Sequence, residues 1–401
     1  ADDPTLMSNT APRLQTLLNH LNSYAQEKEL EVSTSKTVVM AFGSQQDSTT
    51  FLYRGREIQR VTEFKYLGVR LSTSFSLHRV TSHMQTLFLT GIRKATTYAS
   101  QYGTSRVAAT HLRLFQQYGL SSGFYGAQLW ALPWLAVNTL APQEQHYNQF
   151  MRSLIGVGRK AKMVAVLQEC GVAPLKLYWW RLVLRFWNHL VGHNSSLVKT
   201  VLEADRLHPG NKTWSGKLRK AVIHANAPTA YGAISMGAKM EVGLVLRDVQ
   251  DEFIRALGSV SLHYRESRSV FAFYWSCIQS QPRVRVSSFF DLKKPDYFKV
   301  ALGPVARSHL ARFRLRSFGL RFSKSAWVNS LGRDCPLCNE GVQDEEHVLF
   351  ECSFPRVVAL RERFHSLFAG QSLRAFLGQN PRLLAKFFIE LAKALESDDH
   401  N

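Results

Sequence analysis

The segment CPLCNEGVQDEEHVLFEC, residues 335–352, carries the most specific pattern in the chain, with ligand-type side chains at Cys335, Cys338, His347 and Cys352. A Cys-x-x-Cys turn presents two thiolates to one ion, and the later imidazole and thiolate complete the tetrahedral Cys₃His shell of structural zinc. Four protein ligands leave no coordination position for a substrate, which disfavours a catalytic zinc. The pattern predicts a small domain folded around zinc. The alternative is a set of unrelated core cysteines and a surface histidine.

Three acidic residues stand directly before the histidine of this segment. We expect Asp344, Glu345 or Glu346, or else a backbone carbonyl, to orient the second ring nitrogen of His347. The expected role of the metal is to staple a small domain, because the ligand spacing is longer than in the retroviral knuckles that read single-stranded bases.

The stretch before the zinc pattern is basic and aromatic, and it contains no acidic residue between Val300 and Arg333. Guanidinium groups fit phosphate bidentately and aromatic rings stack on bases, so the stretch predicts an RNA or DNA track. The alternative is a helix with an apolar aromatic face and a solvated basic face. The residues predicted to bind nucleic acid are Arg307, Arg312, Arg314, Arg316, Phe318, Arg321, Lys324 and Trp327.

The overall charge favours the same partner. The 401 residues include 50 Lys and Arg against 30 Asp and Glu, which gives a formal charge of +20 and a pI near 9.9. Such an excess predicts binding to a polyanion, with nucleic acid as the leading candidate and a membrane surface or an acidic protein as rivals. No apolar run reaches the length of a bilayer span and no signal peptide opens the chain. We therefore expect a soluble, intracellular protein without a membrane partner.

The cysteine count predicts a reducing compartment, because five cysteines, three of them in the zinc pattern, are too few for a disulfide framework. The other two, Cys170 and Cys277, are expected to be buried thiols. The sequence lacks an initiator Met, and on that basis we expect a fragment or a processed product.

Hydrophobic spacing predicts an α+β chain with a mixed first part. A helix over residues 13–28 and a short buried strand over 38–42 are followed by a hairpin joining 51–53 to 56–58 and by one strand over 64–71.

The remainder is predicted to be mostly helical, with long helices over residues 80–99, 109–118, 144–155 and 175–190. Residues 176–189 of the last helix, with Tyr178, Trp179, Trp180, Arg181, Arg185 and Trp187, are a second candidate for binding nucleic acid, but we expect their aromatic side chains to be core. Residues 209–243 suggest a loosely packed connector with short helices. Asn380 as N-cap and Pro381 at the first helical position predict a terminal helix through Leu395.

Several short motifs precede the zinc pattern along the chain. They are Ala1-Asp2-Asp3, Leu30-x-Val32-x3-Lys36-Thr37, Phe64-Lys65-Tyr66-Leu67-Gly68-Val69, Tyr125-Gly126-Ala127-Gln128-Leu129-Trp130, Phe150-Met151-Arg152-x2-Ile155-Gly156-Val157 and Leu184-Arg185-Phe186-Trp187-Asn188. In their sequence and order these motifs resemble the non-LTR (LINE-type) retrotransposon reverse transcriptases. The resemblance covers the end of the palm turn, the segment after the palm helix, the primer-grip hairpin, the thumb and post-thumb region, and the carboxyl-terminal zinc knuckle.

The resemblance implies roles for residues near the amino terminus. Asp2 would be a Mg²⁺ ligand and Asp3 its supporting partner, because paired carboxylates hold the ions that clamp the reacting oxygens of phosphoryl transfer. Lys36 would lie near the incoming triphosphate and neutralise or protonate the leaving pyrophosphate. The implied primer grip consists of Tyr66, Leu67 and Gly68.

The resemblance also implies a small palm remnant sheet with a helix over residues 1–75, a helical thumb over 76–165 and a helical connector over 166–304. A basic helix, the CCHC zinc knuckle and carboxyl-terminal helices are expected over 305–401.

The implied function is RNA-directed DNA synthesis, with an RNA template, a DNA target or primer, catalytic Mg²⁺, structural Zn²⁺ and the nucleus as location. The family's fingers and an upstream metal-binding Asp are not found in this sequence, so the 401 residues alone are expected to be inactive. The alternative is a non-enzymatic, zinc-containing nucleic-acid-binding protein or a retroelement relic.

Overall fold

The computed structural model describes residues 3–43, 49–74, 77–159, 161–208, 210, 212–262, 294–325, 332–370 and 372–396. The chain divides into two compact units, Ala1–Thr86 and Leu87–Asn401. Helices dominate the described residues and the strands pair into two-stranded sheets, which is compatible with the predicted α+β class. Within the described ranges, none of the helices combines the length and apolar character needed to cross a bilayer.

The first unit packs one amphipathic helix on short strands. Helix α1 (Ala11–Glu27) begins with Pro12 in its first turn, where the missing N–H costs nothing. Leu18 on this helix meets Val39, Phe51, Tyr53 and Ile58 in a buried cluster. The strands are β1 (Val38–Val39), β2 (Leu52–Tyr53), β3 (Arg56–Glu57), β4 (Gln59–Arg60), β5 (Glu63–Tyr66) and β6 (Val69–Ser72).

Strand pairing in this unit is mostly local. β1 pairs parallel with β4, while β2 with β3 and β5 with β6 form antiparallel hairpins. The predicted hairpin joining residues 51–53 to 56–58 is therefore confirmed.

The single strand predicted over residues 64–71 is wrong, because the chain reverses at Leu67-Gly68. These residues have φ values of 45° and 82°, the left-handed pair that a two-residue hairpin turn requires. Tyr66 then faces Val69 across the ladder. The hairpin shape implied by the family resemblance is thus present, and its role as a primer grip stays a prediction.

The second unit is built from helices that pack around aromatic side chains. Its larger helices are α2 (Leu77–Gln101, shared with the first unit), α3 (Ala108–Phe115), α7 (Pro142–Ile155), α8 (Met163–Cys170), α9 (Leu175–Val191), α10 (Ser196–Leu207), α11 (Trp214–His224), α12 (Pro228–Met236), α13 (Val242–Leu262), α14 (Pro304–Arg314), α16 (Pro355–Arg363) and α18 (Pro381–Glu396). Shorter helices are α4 (Ser121–Gly123), α5 (Ala127–Trp130), α6 (Leu132–Leu135), α15 (Arg321–Ser325) and α17 (Leu373–Leu377).

Helix α9 supplies much of the core of this unit. Trp179, Trp180 and Trp187 are buried, as predicted for this helix. The expected terminal helix is also confirmed, since the side-chain oxygen of Asn380 accepts the Arg382 backbone N–H at 2.9 Å at the start of α18.

The short helices predicted over residues 209–243 are present, but the predicted loose packing is wrong. Helices α11 and α12 bury Leu218, Val222 and Ile234 completely, and Asp205 caps the start of α11 by accepting the Trp214 and Ser215 backbone N–H groups. Small and polar residues misled the prediction, because in short helices they allow close packing as readily as they allow flexibility.

One helix contact in this unit is made by backbone. Helix α2 passes the π-helical turn Gln116–Leu120 at Gly91, where an added Cβ would collide with the Tyr118 carbonyl oxygen and lie 2.7 Å from the Gly119 Cα. Only glycine permits this approach.

Candidate metal centre

A short hairpin and a π-helical turn bring the four predicted ligands together. Asp334 and Val342 form an antiparallel bridge, and the Cys335 backbone N–H donates to the Gly341 carbonyl at 2.9 Å. His347 begins the π-helical turn His347–Glu351, and Cys352 follows that turn. The local hydrogen bonds of these two elements therefore fix the Cys-x-x-Cys pair opposite the imidazole and the last thiol.

The distances match those of a tetrahedral site. The Sγ atoms of Cys335 and Cys352 lie 3.9 Å apart, and Cys338 Sγ lies 3.3 Å from His347 Nε2. All four ligand atoms lie within 4.8 Å of one another. A tetrahedral zinc ion with ordinary bond lengths would separate two sulfurs by about 3.8 Å and a sulfur from a nitrogen by about 3.5 Å. The cluster can hold one metal ion such as zinc.

The thiols differ in how readily they ionise. Burial opposes ionisation of Cys338, but hydrogen bonds with the Glu340 backbone and with the other cluster side chains lower the pKa of this thiol to about 7. Burial raises the pKa of the Cys352 thiol to about 12. Cys338 is therefore more readily ionised than Cys352, whose thiol would lose its proton when a bound ion compensates the charge.

The second ring nitrogen of His347 faces a carboxylate that the sequence-based prediction missed. Nδ1 lies 3.5 Å from Oε2 of Glu351, four residues later on the same turn. Asp344, one of the predicted partners, accepts the His347 backbone N–H at 3.0 Å instead. The arrangement leaves Nε2 toward the cluster, as a metal-binding histidine requires. The i,i+4 spacing was the available signal for Glu351.

A second acidic candidate, Glu345, is part of a buried ion pair. Its Oε2 accepts from Nε of Arg316 at 2.9 Å, and the exposed fractions of the two side chains are 1% and 6%. Burial raises the pKa of Glu345 to about 7, although the charge of Arg316 opposes the rise. Arg316 also lies over the ring of Phe322 at 4.7 Å. These contacts fasten the metal-binding segment to the residues that follow α14.

Arg361 on α16 holds the other side of the cluster. One terminal nitrogen donates to the Phe350 carbonyl at 2.6 Å, and the other donates to the Cys352 carbonyl. The guanidinium group of Arg361 thus satisfies carbonyls at the end of the π-helical turn, next to the predicted ligand Cys352. Nothing in the local sequence motif indicates this role.

The structure separates the residues of the predicted basic track. Arg307, Arg314 and Arg316 are buried, and their guanidinium groups are used by the Ser105 carbonyl, by Glu169 and by Glu345. Phe318 is buried against Phe313 and Phe388. These four side chains are packed inside the protein and cannot form part of a continuous nucleic-acid-binding surface.

The other members of that track are placed differently. Arg312 is half-buried and donates to the Ser317 and Phe318 carbonyls. Arg321 is half-buried and Lys324 is exposed, so these two remain open to solvent. Trp327 lies outside the described residues, as does Cys277, while Cys170 is buried as expected.

The residues with implied polymerase roles lie in the first unit. Asp2 lies outside the described residues, and Asp3 is exposed. The Asp3 carbonyl accepts a hydrogen bond of 3.4 Å from the Tyr66 hydroxyl. Lys36 is exposed and lies in a turn. Its backbone N–H donates to the Ser33 carbonyl at 3.2 Å.

Comparisons of the chain with family models, with curated proteins and with solved structures found no match. The evidence for a metal site is therefore the geometry of the four side chains, and the evidence for the family resemblance is the set of motifs in the sequence.

Proposed function

We propose that this chain is a zinc-stabilised, nucleic-acid-binding part of a LINE-type reverse transcriptase, which copies RNA into DNA at a chromosomal target. The observation that carries the polymerase assignment is the hydrogen bond between the Tyr66 hydroxyl and the Asp3 carbonyl. It joins the hairpin proposed to grip the primer to the segment proposed to bind Mg²⁺. A polymerase needs these two features side by side, since the primer end reacts at the metal.

In this proposal Asp2 and Asp3 would hold Mg²⁺, whose positive charge stabilises the phosphoryl-transfer transition state. Lys36 is exposed and would neutralise the leaving pyrophosphate. The Leu67-Gly68 turn, with Leu67 exposed to 58%, would support the primer strand. The partners would be an RNA template and a DNA primer or target, and the nucleus would be the site of action.

The proposed ion at the Cys/His cluster is Zn²⁺. Three thiols and an imidazole suit a soft tetrahedral ion, whereas Mg²⁺ and Ca²⁺ prefer oxygen ligands. The ligands are buried or half-buried and are tied to α16 through Arg361, which fits a structural role.

Primer extension on an RNA template by the complete gene product tests the polymerase assignment. Asp2→Ala should lower extension by orders of magnitude, because the loss of a metal ligand removes several kcal/mol of transition-state stabilisation. Glu29→Ala, which changes an exposed acid of the same unit, serves as the matched control. Undiminished extension by folded Asp2→Ala would refute the assigned role.

A second candidate is a non-enzymatic zinc-containing nucleic-acid-binding protein or retroelement relic. The observation that favours it is that the metal cluster and its supports Glu351 and Arg361 all lie within one unit and need no polymerase site. RNA binding without extension by the complete gene product would support this candidate.

Nucleic-acid binding itself is testable on the 401-residue chain. Affinity for single-stranded RNA should fall steeply with salt, because each neutralised phosphate releases counterions. Replacing Arg321 and Lys324 by Gln should flatten the slope of log affinity against log salt by about 0.7 per lost contact. Arg314→Gln is unsuitable for this test, since the buried partner Glu169 would lose its charge compensation.

A further inference from the structure

Two arginines lie together where α7 passes into α8. Arg152 is half-buried in the last turn of α7, and Arg159 is exposed in the loop that follows. Burial, together with the charge of Arg159, lowers the pKa of Arg152. The two guanidinium groups are therefore close enough to repel each other, and a negative charge between them would stabilise both.

This pair has no carboxylate partner among the described residues. The sequence contains no acidic residue from Gln145 to Gln168. Neither arginine forms an ion pair with a described side chain, and the buried Nε–H of Arg152 has no acceptor among the same residues. Buried polar groups are almost always hydrogen-bonded, so this N–H points to an acceptor from outside the polypeptide.

The pair lies beside the start of α8. One terminal nitrogen of Arg152 is 3.5 Å from the Ala161 carbonyl oxygen, and α8 begins two residues later. The N-cap residue, Lys162, provides no side-chain cap. The backbone N–H groups of Met163 and Ala165 find no acceptor in the described part of the chain. The positive end of the helix dipole thus adds to the charge of the two arginines.

The backbone next to the pair is held in one shape. Gly156 ends α7 with a φ of 71°, and the Val157 N–H donates back to the Arg152 carbonyl at 3.0 Å. The Ser308 hydroxyl of α14 donates to the Gly156 carbonyl. An added Cβ at Gly158 would meet no atom within 4 Å, so a ligand can approach the backbone there. Such a site needs little rearrangement to bind an anion.

We infer that Arg152, Arg159 and the first turn of α8 bind a phosphate group. A guanidinium group donates two parallel N–H bonds to phosphate oxygens, and phosphate has enough oxygens to accept from both arginines and from backbone N–H groups together. The phosphate can come from a free phosphate or small phosphate ester, or from the backbone of a nucleic acid. The inference does not depend on the proposed polymerase function, because inorganic phosphate alone is the first probe.

Calorimetric titration of the zinc-loaded 401-residue chain with sodium phosphate tests the site, with the ionic strength held constant by chloride. The wild type should bind one phosphate per chain at this site. Arg159→Gln should weaken phosphate binding about tenfold, because it removes charge-assisted hydrogen bonds. Arg185→Gln, which removes an exposed arginine charge from α9, is the matched control and should leave the affinity unchanged.

The half-buried member of the pair needs its own variant. Arg152→Gln should also weaken phosphate binding about tenfold. Because Arg152 contacts the Ala161 carbonyl as well, helicity and thermal unfolding are checked, and Arg152→Lys replaces this variant if it unfolds. Lysine keeps the charge but not the two parallel donors, so Arg152→Lys should retain only part of the affinity.

A second probe, a labelled twelve-residue single-stranded RNA, distinguishes the two sources of phosphate. If a nucleic-acid backbone occupies the site, Arg159→Gln should flatten the slope of log RNA affinity against log salt by about 0.7, and phosphate should displace the RNA more strongly than chloride does at equal ionic strength. If the variant and the wild type bind RNA equally, the ligand is a free phosphate or a small ester.

The outcomes also separate this inference from the proposed function. A wild-type chain that binds phosphate but no RNA would contradict nucleic-acid binding and leave the phosphate site standing. Absence of phosphate binding by the wild type, or equal phosphate affinity in the wild type, Arg159→Gln and folded Arg152→Gln, would overturn the phosphate site.

Discussion

Removal of the buried carboxylate Glu169 should destabilise the second unit severely. Its oxygens accept from Nε and Nη2 of Arg314 at 2.6 and 3.2 Å, and the exposed fractions of the two side chains are 0% and 9%. Glu169→Gln keeps the shape of the side chain but removes the negative charge that faces the buried guanidinium of Arg314. The expected loss in unfolding free energy is about 3 to 5 kcal/mol. The Tyr297 ring, 5.8 Å from the guanidinium carbon, offsets only a small part of this loss.

A double-mutant cycle distinguishes loss of charge compensation from loss of packing. Glu169→Met and Arg314→Met should each cost about as much as Glu169→Gln. The double Met variant should cost less than either single change, because no charge is left unpaired inside the protein. The measurement is urea unfolding of the zinc-loaded chain, compared at equal m-values.

An exposed ion pair provides the control for this cycle. Glu390 lies 3.3 Å from Lys393 and 3.4 Å from Arg363 at the protein surface, where solvent screens both pairs, so Glu390→Gln should change stability far less than the Glu169 variants do. Single Met variants that cost no more than this control, or a double variant whose cost equals the sum of both, would refute the argument for a buried, mutually compensated pair.

Three further changes test other parts of the structure. Metal analysis should find one Zn²⁺ per chain and a loss of zinc in Cys338→Ser but not in Cys170→Ala; unchanged zinc in the first variant would remove the cluster assignment. Burial, together with the nearby charge of Arg307, lowers the pKa of His111 to about 4. Between pH 6.5 and pH 4 the unfolded chain therefore binds a proton at His111 that the folded chain does not bind, and the free energy of unfolding should fall as the pH drops through this range. This loss of stability should be about 1 to 2 kcal/mol after allowance for partial exposure. In acid unfolding curves, His111→Leu should abolish the loss that His111 causes between pH 6.5 and 4, whereas His365→Leu, at an exposed position, should leave it unchanged. Gly91→Ala should destabilise by about 1 to 3 kcal/mol in urea unfolding because its Cβ meets backbone, while Gly232→Ala, which faces open space in α12, should be neutral or stabilising.

Local patterns were sufficient to predict the metal cluster. The Cys-x-x-Cys turn, His347 and Cys352 converge as their spacing indicated, because two short elements close the whole cluster within residues 335–352. The same holds for the cap at Asn380 and for the core tryptophans of α9, whose signals lie within a few residues of the feature.

The positions of the arginines could not be predicted in this way. Residues 300–333 contain no acid, which suggested a basic surface, yet Arg314 and Arg316 find their carboxylates at Glu169 and Glu345 outside that window. Local composition gives no information about a partner supplied by tertiary packing. Hydrophobic spacing missed the turn at Leu67 for a different reason, since a leucine with positive φ is rare and apolar alternation continues across the turn.

The long sequence separation of two buried contacts has a consequence for synthesis of the chain on the ribosome. Glu169 precedes Arg314 by 145 residues, and Ser105 precedes its donor Arg307 by 202. At a synthesis rate of about 5 to 20 residues per second, Arg314 is added about 7 to 30 s after Glu169. Until α14 leaves the exit tunnel, burial of α8 would leave the charge of Glu169 without Arg314. We therefore expect this part of the core to stay unfolded, and accessible to chaperones and proteases, until then. The buried cluster of the first unit lies within residues 18–58 and can close as soon as it emerges.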